Sequence, residues 1–321
     1  MSLRQVTVLG ECVADAFTVP PSGPGELALR VLPGGGPANT AVALARLGTP
    51  TRFLARISHD AFGRLFRAHL EESGVDLSGA VAAAEPSTLA IADIDPDGQA
   101  DYSFHAEGTA DWQWTQAELA SVDLGSAAWV HSGSLALVRE PGAPRVEEFL
   151  ERARATATVS IDPNVRPLLV RSEIYRERLP RWCALADVLR LSNDDLEALL
   201  PGTPPEAACD RWHAAGVRLV VITFGERGAL ASLDGDRTTV PAPATKVVDT
   251  VGAGDSFTAG LLHHLGTRGL SGGRLERLRI EDVAAACSFA ARVAALTCAV
   301  TGPNPPWAHQ LEAASADTAH R

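Results

Sequence analysis

The segment Asp249-Thr250-Val251-Gly252-Ala253-Gly254-Asp255-Ser256-Phe257 places three small residues directly before an aspartate, and a helical pattern opens behind them. Small residues let a backbone approach a ligand closely, and amides at the positive end of a helix can stabilise an oxyanion. An aspartate at that helix end can take a proton from an alcohol held in line with a phosphate, help worth about 10²–10⁴ in rate. The spacing predicts an anion hole at Gly252, Ala253 and Gly254 with a general base at Asp255. A simple helix-capping role for Asp255 is the competing reading. Around the motif, the pattern predicts a strand over 246–248 and a helix over 256–265 that Gly266 ends.

Two further glycine clusters sit where chains turn. Gly34-Gly35-Gly36-Pro37-Ala38-Asn39-Thr40 opens a second helical pattern, and Asn39 can both donate to and accept from hydroxyls. A dinucleotide fingerprint would need a small residue where Asn39 stands, which argues against a dehydrogenase. Thr223-Phe224-Gly225-Glu226-Arg227-Gly228 follows an apolar run, at the kind of strand end where open α/β sheets bind ligands. Taken singly, either cluster is more often a turn than a site. Lys246 is the only lysine and follows no glycine, so a Walker P-loop lysine and a protein-kinase β3 lysine are excluded.

Composition narrows the partners. The 321 residues are 46% hydrophobic and 21% charged, enough for a sizeable core, and the net charge of −11 argues against nucleic acid or an anionic membrane. An anion site here must therefore be built from backbone amides, helix ends and metal. Five scattered cysteines without a CxxC pair read as reduced thiols of a cytosolic protein, and the N-terminal residues carry no secretory pattern. The apolar stretch 283–300 contains Arg292 and reads as a buried helix. His263 and His264 are adjacent and cannot share a metal on one helix face. Trp112 and Trp114 read either as a sugar-pocket wall or as core.

The elements that must position these residues alternate. Strands are expected at 6–10, 51–57, 129–133, 158–162, 188–192 and 219–225, with helices at 37–47, 60–73, 144–156 and 206–215. That rhythm predicts a doubly wound α/β fold with a buried, largely parallel sheet. Two stretches interrupt it: extended segments within 12–32, and a hairpin of 88–95 and 100–105 about Pro96-Asp97-Gly98. They would form a small sheet over the site or mere edge strands. Residues 313–321 read as a disordered tail.

The two glycine motifs, at 34–48 and 249–262, resemble in order and separation the two signatures of the PfkB (ribokinase-like) carbohydrate kinases. The resemblance runs from position 6 to about 305. It implies a single kinase domain over 1–310, a three-layer α/β sandwich with a mostly parallel sheet and a small β-lid, to which 12–32 and 88–105 correspond. It implies transfer of the ATP γ-phosphate, with magnesium, to a hydroxymethyl group. Asp255 matches the base, and Gly252, Ala253 and Gly254 the anion hole. Asp15, Gly35, Gly36 and Asn39 match sugar contacts, and Thr223, Gly225 and Gly228 the nucleotide-side loop. Where many members carry Asn-x-x-Glu near the magnesium, this chain reads Ser192-Asn193-Asp194-Asp195. Asp195 is the chosen acidic residue, acting through water, with Asn193 placed near the nucleotide and Glu197 as the alternative acid. A potassium site would fall at Asp249 and Val251. The end segment Val300-Thr301-Gly302-Pro303 departs from the usual Gly-Ala.

Gly133-Ser134-Leu135, Asp162-Pro163-Asn164-Val165-Arg166 and Gly36 look like fructokinase-type members, with Ser134 and Arg166 as further substrate contacts. Asp-x-Asn-x-Arg also occurs in 2-keto-3-deoxygluconate kinases, where Arg166 would pair with a carboxylate. The lid segment Tyr102-Ser103-Phe104-His105 lacks an arginine that many fructokinases show. Ribokinase, a nucleoside kinase of the same fold and a non-catalytic sugar-binding regulator are the other readings, and a homodimer through the lid is the partner expectation.

Overall fold

The computed structural model describes residues 3–94 and 100–319, so the turn expected at 96–98 lies outside it. The chain opens with β1 (Gln5–Leu9), β2 (Val13–Val19) and β3 (Ala28–Gly34), followed by α1 (Gly36–Arg46). Then come β4 (Thr51–Leu54), β5 (Arg56–Ser58), α2 (Ala61–Glu72), β6 (Val81–Ala83), β7 (Thr88–Ile94) and β8 (Ala100–His105). The middle holds α3 (Gln116–Ala120), β9 (Ala127–Gly133), α4 (Ala143–Ala153), β10 (Thr158–Asp162), α5 (Ser172–Leu185), β11 (Val188–Ser192), α6 (Asn193–Leu199) and α7 (Pro205–Ala214). The last part is β12 (Leu219–Thr223), β13 (Ala229–Leu233), β14 (Asp236–Val240), α8 (Ala253–Thr267), α9 (Ile280–Cys298) and α10 (Ala308–Ala319).

Eight strands form the central sheet in the order β14-β13-β12-β11-β10-β9-β1-β4. All neighbours from β12 to β4 pair in parallel, and only the β12–β13 and β13–β14 pairs at one edge are antiparallel, so β13 alone runs against the rest. Strand residues alternate between two cores. Val130, Ile161, Leu189, Val220 and Ile222 face a cluster that includes Phe149, Tyr175, Trp182 and Trp212. Val6, Val8, Val188, Leu219 and Val221 face another built from α1, α2, α8 and α9. β9 to β12 are buried along almost their whole length, so that even their polar residues, such as His131, Ser160 and Arg190, lie inside. The result is a three-layer α/β sandwich. A separate four-stranded sheet, β3-β2-β7-β8, forms the lid.

Several boundaries differ from the sequence reading. The run 51–57 is two strands, since β4 pairs with β1 while β5 leaves to pair with β6. Residues 246–248 are not a strand: Val247 and Val248 are exposed, and the Val248 amide donates to the Cys298 carbonyl. The helix starting at the aspartate motif passes through Gly266 and ends at Thr267: a glycine inside a helix weakens it without ending it, and the rest of α8 is held by its packing against α9. Residues 313–319 are helical, the end of α10, and only 320–321 lie outside the described residues. Alanine-rich sequence favours that helix, and Leu311 anchors it against Leu47 and Val293. Trp112 and Trp114 are buried in the core rather than walling the cleft. No described helix is long and apolar enough to cross a membrane.

The α8–α9 contact fixes the start of α8, and small residues bring the two helices close. A side chain built at Gly260 would place its Cβ 2.8 Å from the Ala290 Cα and 3.2 Å from a Val293 methyl. Gly260→Leu should therefore overpack this seam and destabilise the fold by roughly 1–3 kcal/mol. A melting temperature equal to that of the unmodified chain would contradict this packing.

Candidate active site

The parallel strands end at one edge of the sheet, and the lid lies across it. The cleft between them has a volume of about 450 Å³. Its floor comes from the strand ends and from α8, its roof from the lid, where Val13, Asp15 and Phe17 of β2 meet Tyr102 and Phe104 of β8. Tyr102 and Phe104 stack with centroids 6.0 Å apart, and Tyr102 is exposed to the cleft.

Gly252 caps α8 at φ 76 and ψ 1, a left-handed conformation that costs a side-chain-bearing residue dearly. The turn aims the start of the helix into the cleft and leaves Asp255 in its first turn. Asn39 of α1 donates from Nδ2 to Asp255 Oδ2 at 2.8 Å. The two glycine motifs, 216 residues apart in the chain, thus close on one another. Asp255 lies deep in the protein but keeps an open side toward the cleft. Burial pushes its carboxyl up to about 6, and the Asp162 charge adds to this, whereas the Asn39 bond and the Arg166 and Arg190 charges oppose it.

Asp15 also faces the cleft, and burial raises it to about 6 against the pull of Arg166. Gly36 borders Asp255 as well. A Cβ there would come within 2.7 Å of Asn164 Nδ2 and 3.3 Å of Asp255 Oδ1, so only glycine leaves this corner open. Gly35, Ser134 and Arg166 complete the predicted sugar side. Ser134 and Asn164 stand at φ 59 and 41, directly after β9 and β10. Such backbone strain in non-glycine residues concentrates at functional sites.

Other predicted residues are not brought to the cleft. Gly225 and Gly228 form the tight turn between β12 and β13, where the Phe224 amide donates to the Gly228 carbonyl. Thr223 is nearer, its Oγ1 accepting from Arg190 Nη2 at 2.7 Å. Asn193 is the first residue of α6 and does not line the cleft. Asp195 is buried, and its carboxylate is committed within the protein: Oδ1 accepts from the Val165 amide at 2.7 Å, and Oδ2 from the Ser192 amide and hydroxyl. With both oxygens occupied it does not fit as a direct magnesium ligand. Among the described residues no group of three or more His, Cys, Asp and Glu could hold a metal. Asp249 ties the motif to the C-terminal loop, accepting from the Val251 amide at 3.0 Å and the Gly302 amide at 2.8 Å.

The sequence reading missed three residues of the cleft wall. Glu11 follows β1, is almost wholly buried, and has its carboxyl pushed up to about 7 by that burial. Asn164 carries no signal beyond its place in the Asp162–Arg166 motif. Arg190 does carry one, as the single arginine inside the strand Val188–Ser192.

The pfkB family carbohydrate kinase pattern matches residues 3–310. A fructokinase from Rhizobium leguminosarum bv. trifolii is 37% identical over 243 residues, 75% of this chain and 74% of that protein. The crystal structure of a Xylella fastidiosa fructokinase with bound ATP superposes with a TM-score of 0.86 at 26% identity, covering 97% of this chain and 99% of that one. A Vibrio cholerae fructokinase double mutant, solved with fructose, ADP and potassium, gives a TM-score of 0.83 at 27% identity over 98% and 99% of the two chains. Two glycine motifs joined at one carboxylate, beneath a four-stranded lid, are thus found in a chain that belongs to the pfkB family of carbohydrate kinases and phosphorylates a sugar hydroxyl.

Proposed function

We propose that the protein transfers the γ-phosphate of ATP to a terminal hydroxymethyl group of fructose or a similar ketohexose. The observation that carries the chemistry is Asp255, a carboxylate at a helix N-terminus, oriented by Asn39 and open to the cleft. In this reading the sugar hydroxyl gives its proton to Asp255 as its oxygen attacks the γ-phosphorus. The bond to the β,γ-bridging oxygen breaks, and ADP leaves with the electron pair. The amides of Gly252 and Gly254 take up charge on the transferred group, while Ala253, expected in the same hole, does not line the cleft and its amide donates to the Thr250 carbonyl at 3.2 Å. Asp15, Asn39 and Arg166 hold the sugar, with Gly35, Gly36 and Ser134 shaping its pocket.

The nucleotide would lie toward Thr223 and the Gly225–Gly228 turn. ATP would bring its divalent cation with it, magnesium being the expectation, to neutralise the phosphates. A role for Asp195 there would be indirect, through the loop at Val165. Potassium would sit at the Asp249 and Val251 turn. Fructose is favoured by the relatives' activity and by Gly36, since the corner beside Asp255 has room for no side chain. A 2-keto-3-deoxy sugar acid is the second reading, because Arg166 is exposed in the cleft and, beyond its Nη1 bond to the Val165 carbonyl, has donors left to meet a carboxylate.

Asp255→Asn should keep fold and ligand binding yet lower kcat by at least about 10². Near-normal turnover would remove Asp255 as the base. The pH profile follows from its carboxyl standing near 6. A base must be ionised, so kcat/KM, which reports the free enzyme, should hold above pH 6 and fall as the pH drops through it; a kcat/KM profile flat down to pH 5 would contradict the assignment. A coupled assay over fructose, ribose, 2-keto-3-deoxygluconate, adenosine and tagatose should give fructose the highest kcat/KM, and excess EDTA should abolish turnover. A tenfold preference for another acceptor would overturn the fructose reading and leave the kinase intact.

A further inference from the structure

Of the residues lining the cleft, only Arg166 and Arg190 carry a positive charge. Arg166 lies toward Asp15, on the sugar side. Arg190 lies elsewhere. Its side chain rises from β11 between the carboxyl ends of β10 and β12, under the opening of α8. Nη1 donates to Asp162 Oδ2 at 2.8 Å, and Nη2 to Thr223 Oγ1 at 2.7 Å. The Phe257 ring backs the guanidinium, with its centroid 5.6 Å from Cζ. A Cβ on Gly254 would lie 2.8 Å from Nη1, so the cation sits directly against the residue whose amide faces the phosphate site.

Three features separate this arginine from an ordinary buried ion pair. Its side chain is only 7% exposed, yet it reaches the cleft. A guanidinium carries five N–H donors, and the Asp162 and Thr223 bonds leave several uncommitted, with Nε buried and lacking any acceptor. The chain's single lysine is exposed in the loop before the motif and does not line the cleft. A phosphoryl group entering beside Gly254 therefore finds one fixed, pre-oriented cation on the protein, and it is Arg190.

We propose that Arg190 is a catalytic residue whose guanidinium contacts the transferred phosphoryl group and, with the Gly252 and Gly254 amides, stabilises its charge in the transition state. The proposal rests on the reading that this loop and Asp255 form the phosphoryl site. Arg190 exchanges no proton. The hydroxyl proton goes to Asp255 and ADP leaves with the bridging electron pair, while Asp162, Thr223 and Phe257 hold the cation still. An arginine held in advance loses little freedom when the anion arrives, and it can meet two phosphate oxygens at once.

The rival explanation is that Arg190 only neutralises Asp162. Four variants separate the two: Arg190→Gln, Arg190→Lys, Asp162→Asn, and the double variant Arg190→Gln/Asp162→Asn. The double variant removes both charges, which keeps it foldable where Arg190→Gln alone would strand a buried carboxylate. If the guanidinium acts on the phosphoryl group, the double variant should have kcat about 10²–10³ below Asp162→Asn. Its sugar KM should move less than about threefold and its melting temperature should exceed that of Arg190→Gln, with Arg190→Lys intermediate in kcat. A double variant as active as Asp162→Asn, or a loss seen wholly in KM, would overturn the proposal. Asp255→Asn assayed in parallel separates the failures. If it is inactive while the double variant turns over normally, only the role of Arg190 falls; if both turn over normally, the phosphoryl site itself is misplaced.

Discussion

Gly252 turns the chain into the left-handed region immediately before α8, and the site depends on that turn. A residue with a side chain would resist the conformation, and its Cβ would also lie 2.8 Å from Pro303 Cβ. Because the turn is made there, α8 starts at the cleft, with Gly252 and Gly254 lining it, the Ala253 amide turned back to the Thr250 carbonyl, and Asp255 in the first turn. The rest of the molecule holds this helix start in place. The α9 seam fixes its axis, Asp249 fixes its approach through the Gly302 amide, and Asn39 fixes the carboxylate.

The electrostatics of the cleft follow from putting acids where water is scarce. Glu11, Asp15 and Asp255 all line it, and burial is the largest cause of the upward shift in each. For Asp255 the outcome suits a proton acceptor, since a base near the operating pH combines ionisation with useful basicity. The one lysine does not line the cleft, and the positive charge that reaches it comes from two arginines, Arg166 near Asp15 and Arg190 against Gly254.

The lid shows how far local pattern carries. Its strands interrupt the βαβ rhythm, and their extended segments were legible as such. β2 and β7 pair in parallel, and Asp111 ties their starts, accepting from the amide of Cys12, just before β2, at 2.9 Å and from the hydroxyl of Thr88, the first residue of β7, at 2.6 Å. No local feature of the sequence marks Asp111 as a peg. The tryptophans beside it read equally as wall or core, and packing against the helices of one layer made them core.

By itself the sequence determined the alternating α/β architecture, the two helix starts and Asp255. Each rests on short-range rules: apolar runs on a doubly buried sheet, glycines at tight turns, and an acid beside small residues. Tertiary structure decided which of these residues meet. It joined Asn39 to Asp255 and set Arg190 under Gly254, because contacts between distant segments depend on strand order and on which face each residue presents. It also turned Asp195 inward as a cap and a support for the Val165 loop, and drew 313–319 into a helix where the tail had looked unstructured. Both outcomes depend on partners supplied by other segments, and those partners exist only once the chain has folded.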